Sequence, residues 1–340
     1  MPPQAGLLST TNLLVFACAL LSVGRGRTQT PFRVQRYILL KFMNNCAPLL
    51  LALAVLGWAG NTIAGRFSEG AISPLALVFL RWTIVVAVLV AFRAKDMIAS
   101  WPVMMAHWRW TLAMGTAGFT GFNVLFYLAA QNTTAVNLGL LQCVMPIYVM
   151  IGCAIFYKIK VTPIQMIGVV LSLLGVAFVL GRGDLSAILD ISFNYGDAMM
   201  LLAAMFYAGY TVGLRKRPKV EDFTMLAYLA LVAWFASALL LLADLGIEGV
   251  QQWPADLSAW LVIFYVALVP SLLSQILFMR GVQLVGSNKA GVYTNLLPIY
   301  VAILGVLLLG EAFETYHLIA TILAGVGIYL VSKPKATEHV

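Results

Sequence analysis

The stretch from Asn123 to Val149 occurs twice in this chain. Shifted by 152 positions it falls, without a gap, on Gln275 to Val301. Leu125-Phe126 then meets Leu277-Phe278, Gln131 meets Gln283, and Gly139 meets Gly291. The match ends on Pro146-Ile147-Tyr148-Val149 against Pro298-Ile299-Tyr300-Val301. A second match, at an offset of 149, brings Trp58-Ala59-Gly60-Asn61-Thr62 onto Tyr207-Ala208-Gly209-Tyr210-Thr211. Self-similarity at long period means a fold assembled from two copies of one unit.

The medium that these copies sit in follows from composition. Of 340 residues, 62% are hydrophobic and 10% charged, where a water-soluble domain carries about 25% charged residues. Such a chain cannot cover a water-facing surface, and it belongs in a bilayer, where about 20 apolar residues make one crossing helix. A transmembrane β-barrel would read as alternating segments of ~10 residues, and the apolar runs here are longer and continuous.

From Ala47 onward ten spans are expected: 47–65, 74–92, 110–130, 134–156, 163–181, 196–214, 224–243, 258–279, 287–309 and 315–332. The fold class is therefore an all-α polytopic membrane protein. Its first five-helix repeat covers 47–181 and its second 196–333. Pro163 behind Thr162 reads as a helix start, an N-cap residue followed by proline at the first helical position. Residues 1–46 differ from the rest. Asn12 to Val23 is apolar but short, no basic residue precedes it, and it makes a poor signal peptide. A basic segment with Arg25, Arg27, Arg33, Arg36 and Lys41 follows. Two readings stay open: a cytoplasmic or interfacial arm, or an over-long start upstream of Met43.

The net charge of +8 is an orientation signal. With the N-terminus inside, the inside segments hold 18 of the 21 Lys and Arg, among them Arg93, Lys95, Lys158, Arg215, Arg217, Arg280 and Lys333. That is the positive-inside asymmetry, and nucleic acid is not needed to explain the charge. Five spans per copy is an odd number, so the second copy crosses in the opposite sense. Inverted repeats with a site near the midplane are a common design of secondary transporters.

Several motifs together resemble the EamA-type family of the drug/metabolite transporter superfamily, over about residues 47–333. They are Trp58-Ala59-Gly60-Asn61 ending span one, Phe79-Leu80-Arg81 in span two, Phe126-Tyr127-Leu128-Ala129 in span three, and a proline in spans four and nine. The family's Gly-Glu at the end of the fourth span of a half is kept as Gly310-Glu311 in the second half. Lys158-Ile159 stands at the equivalent place in the first, which departs from the pattern. The resemblance implies an exporter or exchanger of small metabolites and names no substrate.

Arg81 is the deepest charge, about seven residues into its span, or roughly 10 Å along a helix. A membrane-buried Arg costs at least ~2.5–3.5 kcal/mol and demands partners. Those partners are either an anionic substrate or polar groups on neighbouring helices, and both readings stay open. No Asp or Glu lies mid-span, so proton or sodium coupling has no evident carboxylate to use. Asn61, Asn123, Gln142, Gln275 and Asn295 carry amides that must face the bundle interior. Trp58, Tyr207 and Tyr210 add aromatic walls with polar tips. These residues are the expected substrate cavity, together with Arg81. Pro146 and Pro298 are expected to kink spans four and nine at mid-helix. Gly115, Gly118 and Gly121 are expected to let helices approach closely.

The mismatched repeat pairs Gln142/Thr294, Cys143/Asn295 and Ile159/Glu311 are where substrate recognition would depart from symmetry. His107 and His317 stand near span ends and form no metal set. Cys18, Cys46, Cys143 and Cys153 show no CxxC spacing. No cofactor and no metal are expected. The partners expected are a small-molecule substrate and the lipid bilayer, with a homodimer allowed. The expected location is the bacterial inner membrane with both termini cytoplasmic, and the expected class is a non-enzyme. The competing class, a membrane-embedded enzyme on lipid-linked substrates, would want a catalytic carboxylate pair or Ser/His set.

Overall fold

A computed structural model describes residues 47–68, 72–133, 138, 141–184, 186, 193–247, 252–309 and 314–332. The readings on residues 1–46 and on Gly310-Glu311 fall outside these. Every regular element among the described residues is helical, as hydrocarbon requires of a backbone that cannot reach water.

In chain order the first half holds α1 (Ala47–Ser68), α2 (Pro74–Ala106), α3 (Trp108–Asn132), α4 (Met145–Tyr157) and α5 (Pro163–Leu180). The second holds α6 (Tyr195–Gly213), α7 (Asp222–Ile247) and α8 (Leu257–Val285). Then comes α9, which is Ser287–Val292 run through a 3-10 turn, Tyr293–Leu296, into Leu297–Leu309. The last element is α10 (Thr315–Ser332). Among the described residues, six helices are long and apolar enough to cross a membrane: α1, α2, α3, α6, α7 and α8. On length alone, then, ten crossings are not counted. Two expectations about prolines also need correction. Pro146 stands in the first turn of α4, behind a turn at Cys143-Val144, and Pro298 follows the 3-10 turn of α9. Neither stands inside a regular α-helical run. A proline has no N–H to give the preceding turn and restricts the residue before it, so the helix is interrupted there and restarts at the proline.

Helix starts are set by local side chains. Thr162 and Gln165 form a reciprocal capping box at α5 (Thr162 N–H to Gln165 Oε1 3.0 Å, Gln165 N–H to Thr162 Oγ1 3.3 Å), and Pro163 opens the helix as expected. Asn194 and Asp197 do the same for α6.

The packing is two-fold in pattern. Helix α1 packs on α8 and α9 as α6 packs on α3 and α4, while α2 packs on α7 and α5 on α10. Direction can be read from close approaches. A Cβ at Gly168 would stand 2.6 Å from the Gly327 carbonyl oxygen, and one at Gly175 would stand 2.8 Å from that of Ala320. Residue numbers rise along α5 as they fall along α10, so these equivalent helices run antiparallel with their backbones almost touching.

Two clusters mark opposite ends of the bundle. At one, Arg93 pairs with Asp96 at 3.1 Å and Glu221 at 4.0 Å, Arg217 pairs with Asp222, and Gln283 bonds Asp222. At the other, Thr133 at the end of α3 donates to Asp197 at the start of α6, and Ser73 bonds Gln252 through the backbone. Midway along the helices large apolar side chains stay bare: Phe235 of α7 is 60% exposed, Ile322 of α10 57% and Val170 of α5 53%. Exposed apolar surface on this scale is a lipid-facing one.

Candidate functional site

The cavity lies where the two halves meet, and its position follows from where the helices lose regularity. Two π-helical segments occur among the described residues, Met114–Gly121 in α3 and Ala267–Leu273 in α8. The repeat offset carries 114–121 onto 266–273, so the distortion is duplicated with the unit. Such bulges widen a turn and often accompany functional sites. In α8 the cause is Pro270, which cannot donate to the turn before it. Carbonyls released in this way need partners in a membrane. The Val266 oxygen finds Arg81 Nη2 at 3.3 Å and the Ser271 hydroxyl at 2.5 Å, and the Pro270 oxygen accepts the Trp58 indole N–H at 3.2 Å. In α3 the glycines act through proximity instead: a Cβ at Gly118 would meet Tyr210 Cβ at 2.6 Å.

With its open mouth and the solvent there included, the cavity encloses about 660 Å³. The repeat equivalents Trp58 and Tyr207, Asn123 and Gln275, Gln142 and Thr294, and Met145 and Leu297 all line it. The last two pairs sit at the interruptions ahead of Pro146 and Pro298. Further walls come from Asn61 and Thr62 of α1, Arg81 and Trp82 of α2, Phe122 and Phe126 of α3, and Pro270 and Ser271 of α8. Aromatic contacts hold the walls. Trp58 meets Tyr207 with ring centroids 5.5 Å apart and planes at 85°, and Trp82 stacks on Phe119 at 4.9 Å.

Arg81 is buried in this wall at 3% exposure. It makes five hydrogen bonds: Nε and Nη2 to Ser271 Oγ (2.8 and 2.6 Å), Nη1 to Asn123 Oδ1 (2.8 Å) and the Tyr127 hydroxyl (3.3 Å), and Nη2 to the Val266 carbonyl (3.3 Å). Five is the donor capacity of a guanidinium, and every acceptor is neutral. The fold-stabilising reading of Arg81 is thus the one with visible partners, while its charge stays uncompensated. It ties α2 to α3 in its own half and to α8 in the other.

Of the residues expected in the cavity, Trp58, Asn61, Arg81, Asn123, Gln142, Tyr207 and Gln275 line it. Tyr210 lies one layer back, fully buried, its hydroxyl 3.5 Å from Gln275 Oε1. Asn295 turns away from the cavity: its Nδ2 donates to Ser172 Oγ of α5 at 2.7 Å. Its neighbour Thr294 takes the cavity face, because successive residues of a 3-10 turn point about 120° apart. The sequence reading missed Ser271. The signal was there, a mid-span proline at Pro270, which frees a carbonyl wherever it falls in a helix. His107 and His317 bond backbone at helix ends, and no cluster among the described residues gathers three metal-ligating side chains.

Comparison with known proteins gives a consistent result. The sequence profile of the EamA-like transporter family matches residues 46–181 and again 194–333. An "Uncharacterized transporter" of Archaeoglobus fulgidus is 26% identical over 299 residues, covering 87% of this chain and 100% of its own. The "Uncharacterized transporter YyaM" of Bacillus subtilis is 24% identical over 222 residues, 65% of this chain and 72% of its own. A solved structure titled "Crystal structure of protein" superposes with TM-score 0.68 at 21% identity, covering 84% of this chain and 96% of that one. That last likeness concerns the fold.

Proposed function

Because the chain belongs to the EamA-like transporter family, we propose that it is a secondary transporter that exports or exchanges small metabolites, such as amino acids or related solutes, by alternating access. It is a multi-pass membrane protein, and in this reading it crosses the bacterial inner membrane ten times, five per half, with both termini cytoplasmic. The orientation is supported by basic residues gathered at one end of the bundle: Arg93 of α2 and Arg217 after α6 meet there through Glu221 and Asp222, as positive-inside placement asks.

The observation that carries the reading is the cavity wall of four repeat-equivalent pairs. A site on the pseudo-two-fold relation between antiparallel halves presents the same residues to either side when one half rocks against the other. Helices interrupted beside the site, ahead of Pro146 and Pro298, supply the places where backbone can change pairing. The family and its relatives carry the names of transporters rather than of enzymes.

Metabolite profiles of cells lacking and overexpressing the protein give candidate solutes. Purified chain in proteoliposomes is then tested for saturable counterflow of each. Overshooting uptake against a preloaded solute supports the reading. Flux that stays linear in concentration, without trans-stimulation, sinks it.

A further inference from the structure

Arg81 can only donate hydrogen bonds, and this fixes the polarity of the groups around it. Its Nη1 donates to the Tyr127 oxygen at 3.3 Å, so the Tyr127 proton is free to go onward, and it goes to Asn61 Oδ1 at 3.3 Å. Asn61 therefore presents its carbonyl to Tyr127 and keeps its amide N–H groups for the cavity it lines. Asn123 and Ser271 give their oxygens to Arg81, and each donates one hydrogen to a carbonyl, of Phe119 and Val266 respectively.

The site is thus positive and offers donors. No carboxylate answers it. No acid lines the cavity among the described residues, and the sequence holds none between Asp96 and Asp184 or between Asp256 and Glu311. A solute entering such a site replaces water around an uncompensated guanidinium, in a medium where charge is costly unless neutralised. A net negative solute relieves that cost, and a net positive one adds to it.

Resting on the transporter reading above, we infer that the solute carried is a small monoanionic carboxylate, received beside Arg81 by the amide N–H of Asn61. Arg81 acts through the field of its charge and through Tyr127, which orients Asn61. The guanidinium bonds need not open for the carboxylate to bind.

The test uses the full chain in proteoliposomes and three probes with one carbon skeleton: N-acetyl-leucine, leucine and leucinamide. At about pH 6 these are an anion, a zwitterion and a cation. Counterflow of N-acetyl-leucine is expected to exceed that of leucinamide by roughly tenfold or more, the ratio that about 1.4 kcal/mol of preference gives. Asn61→Asp, nearly isosteric, is expected to invert the order of anion and cation. Tyr127→Phe leaves Arg81 its bonds to Asn123, Ser271 and Val266 but unties Asn61, and it is expected to lower the anion preference severalfold. Faster flux of leucine or leucinamide than of N-acetyl-leucine overturns the inference and leaves the transporter reading standing. An unchanged flux ratio in both folded variants overturns the assignment to Asn61. Flux of no probe above protein-free vesicles counts against the transporter reading, and the inference falls with it.

Discussion

The indole of Trp58 and the phenol ring of Tyr207 meet edge to face, 5.5 Å apart at 85°, and they are the same residue position in the two repeats. The relation between the halves therefore passes between these two rings, and the cavity opens beside them. Trp58 also packs on Phe278 at 5.0 Å and bonds the Pro270 carbonyl. Trp58→Ala is expected to lower unfolding stability in detergent by on the order of 2 kcal/mol, from lost ring contacts and the space left behind. Tyr207→Phe removes only a hydroxyl 3.4 Å from Gln275 and is expected to cost about 0.6 kcal/mol or less. Thermal unfolding followed by intrinsic fluorescence separates the two.

The contact of α5 with α10 tolerates no side chain at Gly168, where a Cβ would reach within 2.6 Å of the Gly327 carbonyl oxygen. Gly168→Val is expected to cost about 1–3 kcal/mol as an overpacked core does, with loss of monodisperse protein on gel filtration. Gly325 has nothing within 4 Å of its Cβ position. Gly325→Ala is the matched control, with stability at or slightly above that of the native chain, since alanine favours the helix by about 1 kcal/mol.

Asn295 and Thr294 divide packing from transport between adjacent positions. Asn295 Oδ1 is buried without a partner, and Ser172 keeps its bond to the Val169 carbonyl when Asn295 is lost. Asn295→Leu is accordingly expected to stay within about 1 kcal/mol of the native stability, because removing an unsatisfied polar group offsets the lost bond. Its flux in proteoliposomes is expected to match that of the native chain.

That pair also shows what was legible in the sequence. The duplication named the equivalent turns of spans four and nine, and the amides Gln142, Asn123 and Gln275 stand where depth in the span suggested. Asn295 did not, because being right to within one residue still leaves about 120° of rotation open in a 3-10 turn. The role of Ser271 needed a second fact, that α8 passes α2 at the level of Arg81, which local pattern does not carry. The interruptions before Pro146 and Pro298 were visible as prolines. That the α-helix restarts there depends on the turn ahead of each.

Orientation is open to chemical labelling. With the native cysteines replaced by alanine, Ser186→Cys and Lys219→Cys each place a thiol at an exposed position, on opposite sides of the proposed membrane. A membrane-impermeant maleimide is expected to label Ser186→Cys on intact cells, and Lys219→Cys only after permeabilisation. The reverse pattern would turn the topology over.

The central claim is that the cavity between the halves is the transport path. Thr294 lines it beside the restart of α9, and Thr294→Trp fills it from a helix that carries none of Arg81's hydrogen-bond partners. Counterflow is measured in proteoliposomes holding equal amounts of native and Thr294→Trp protein, each monodisperse before reconstitution. Overshooting uptake by the native chain and its loss in the filled variant are the predicted result. Overshoot of the same height in Thr294→Trp would contradict the claim.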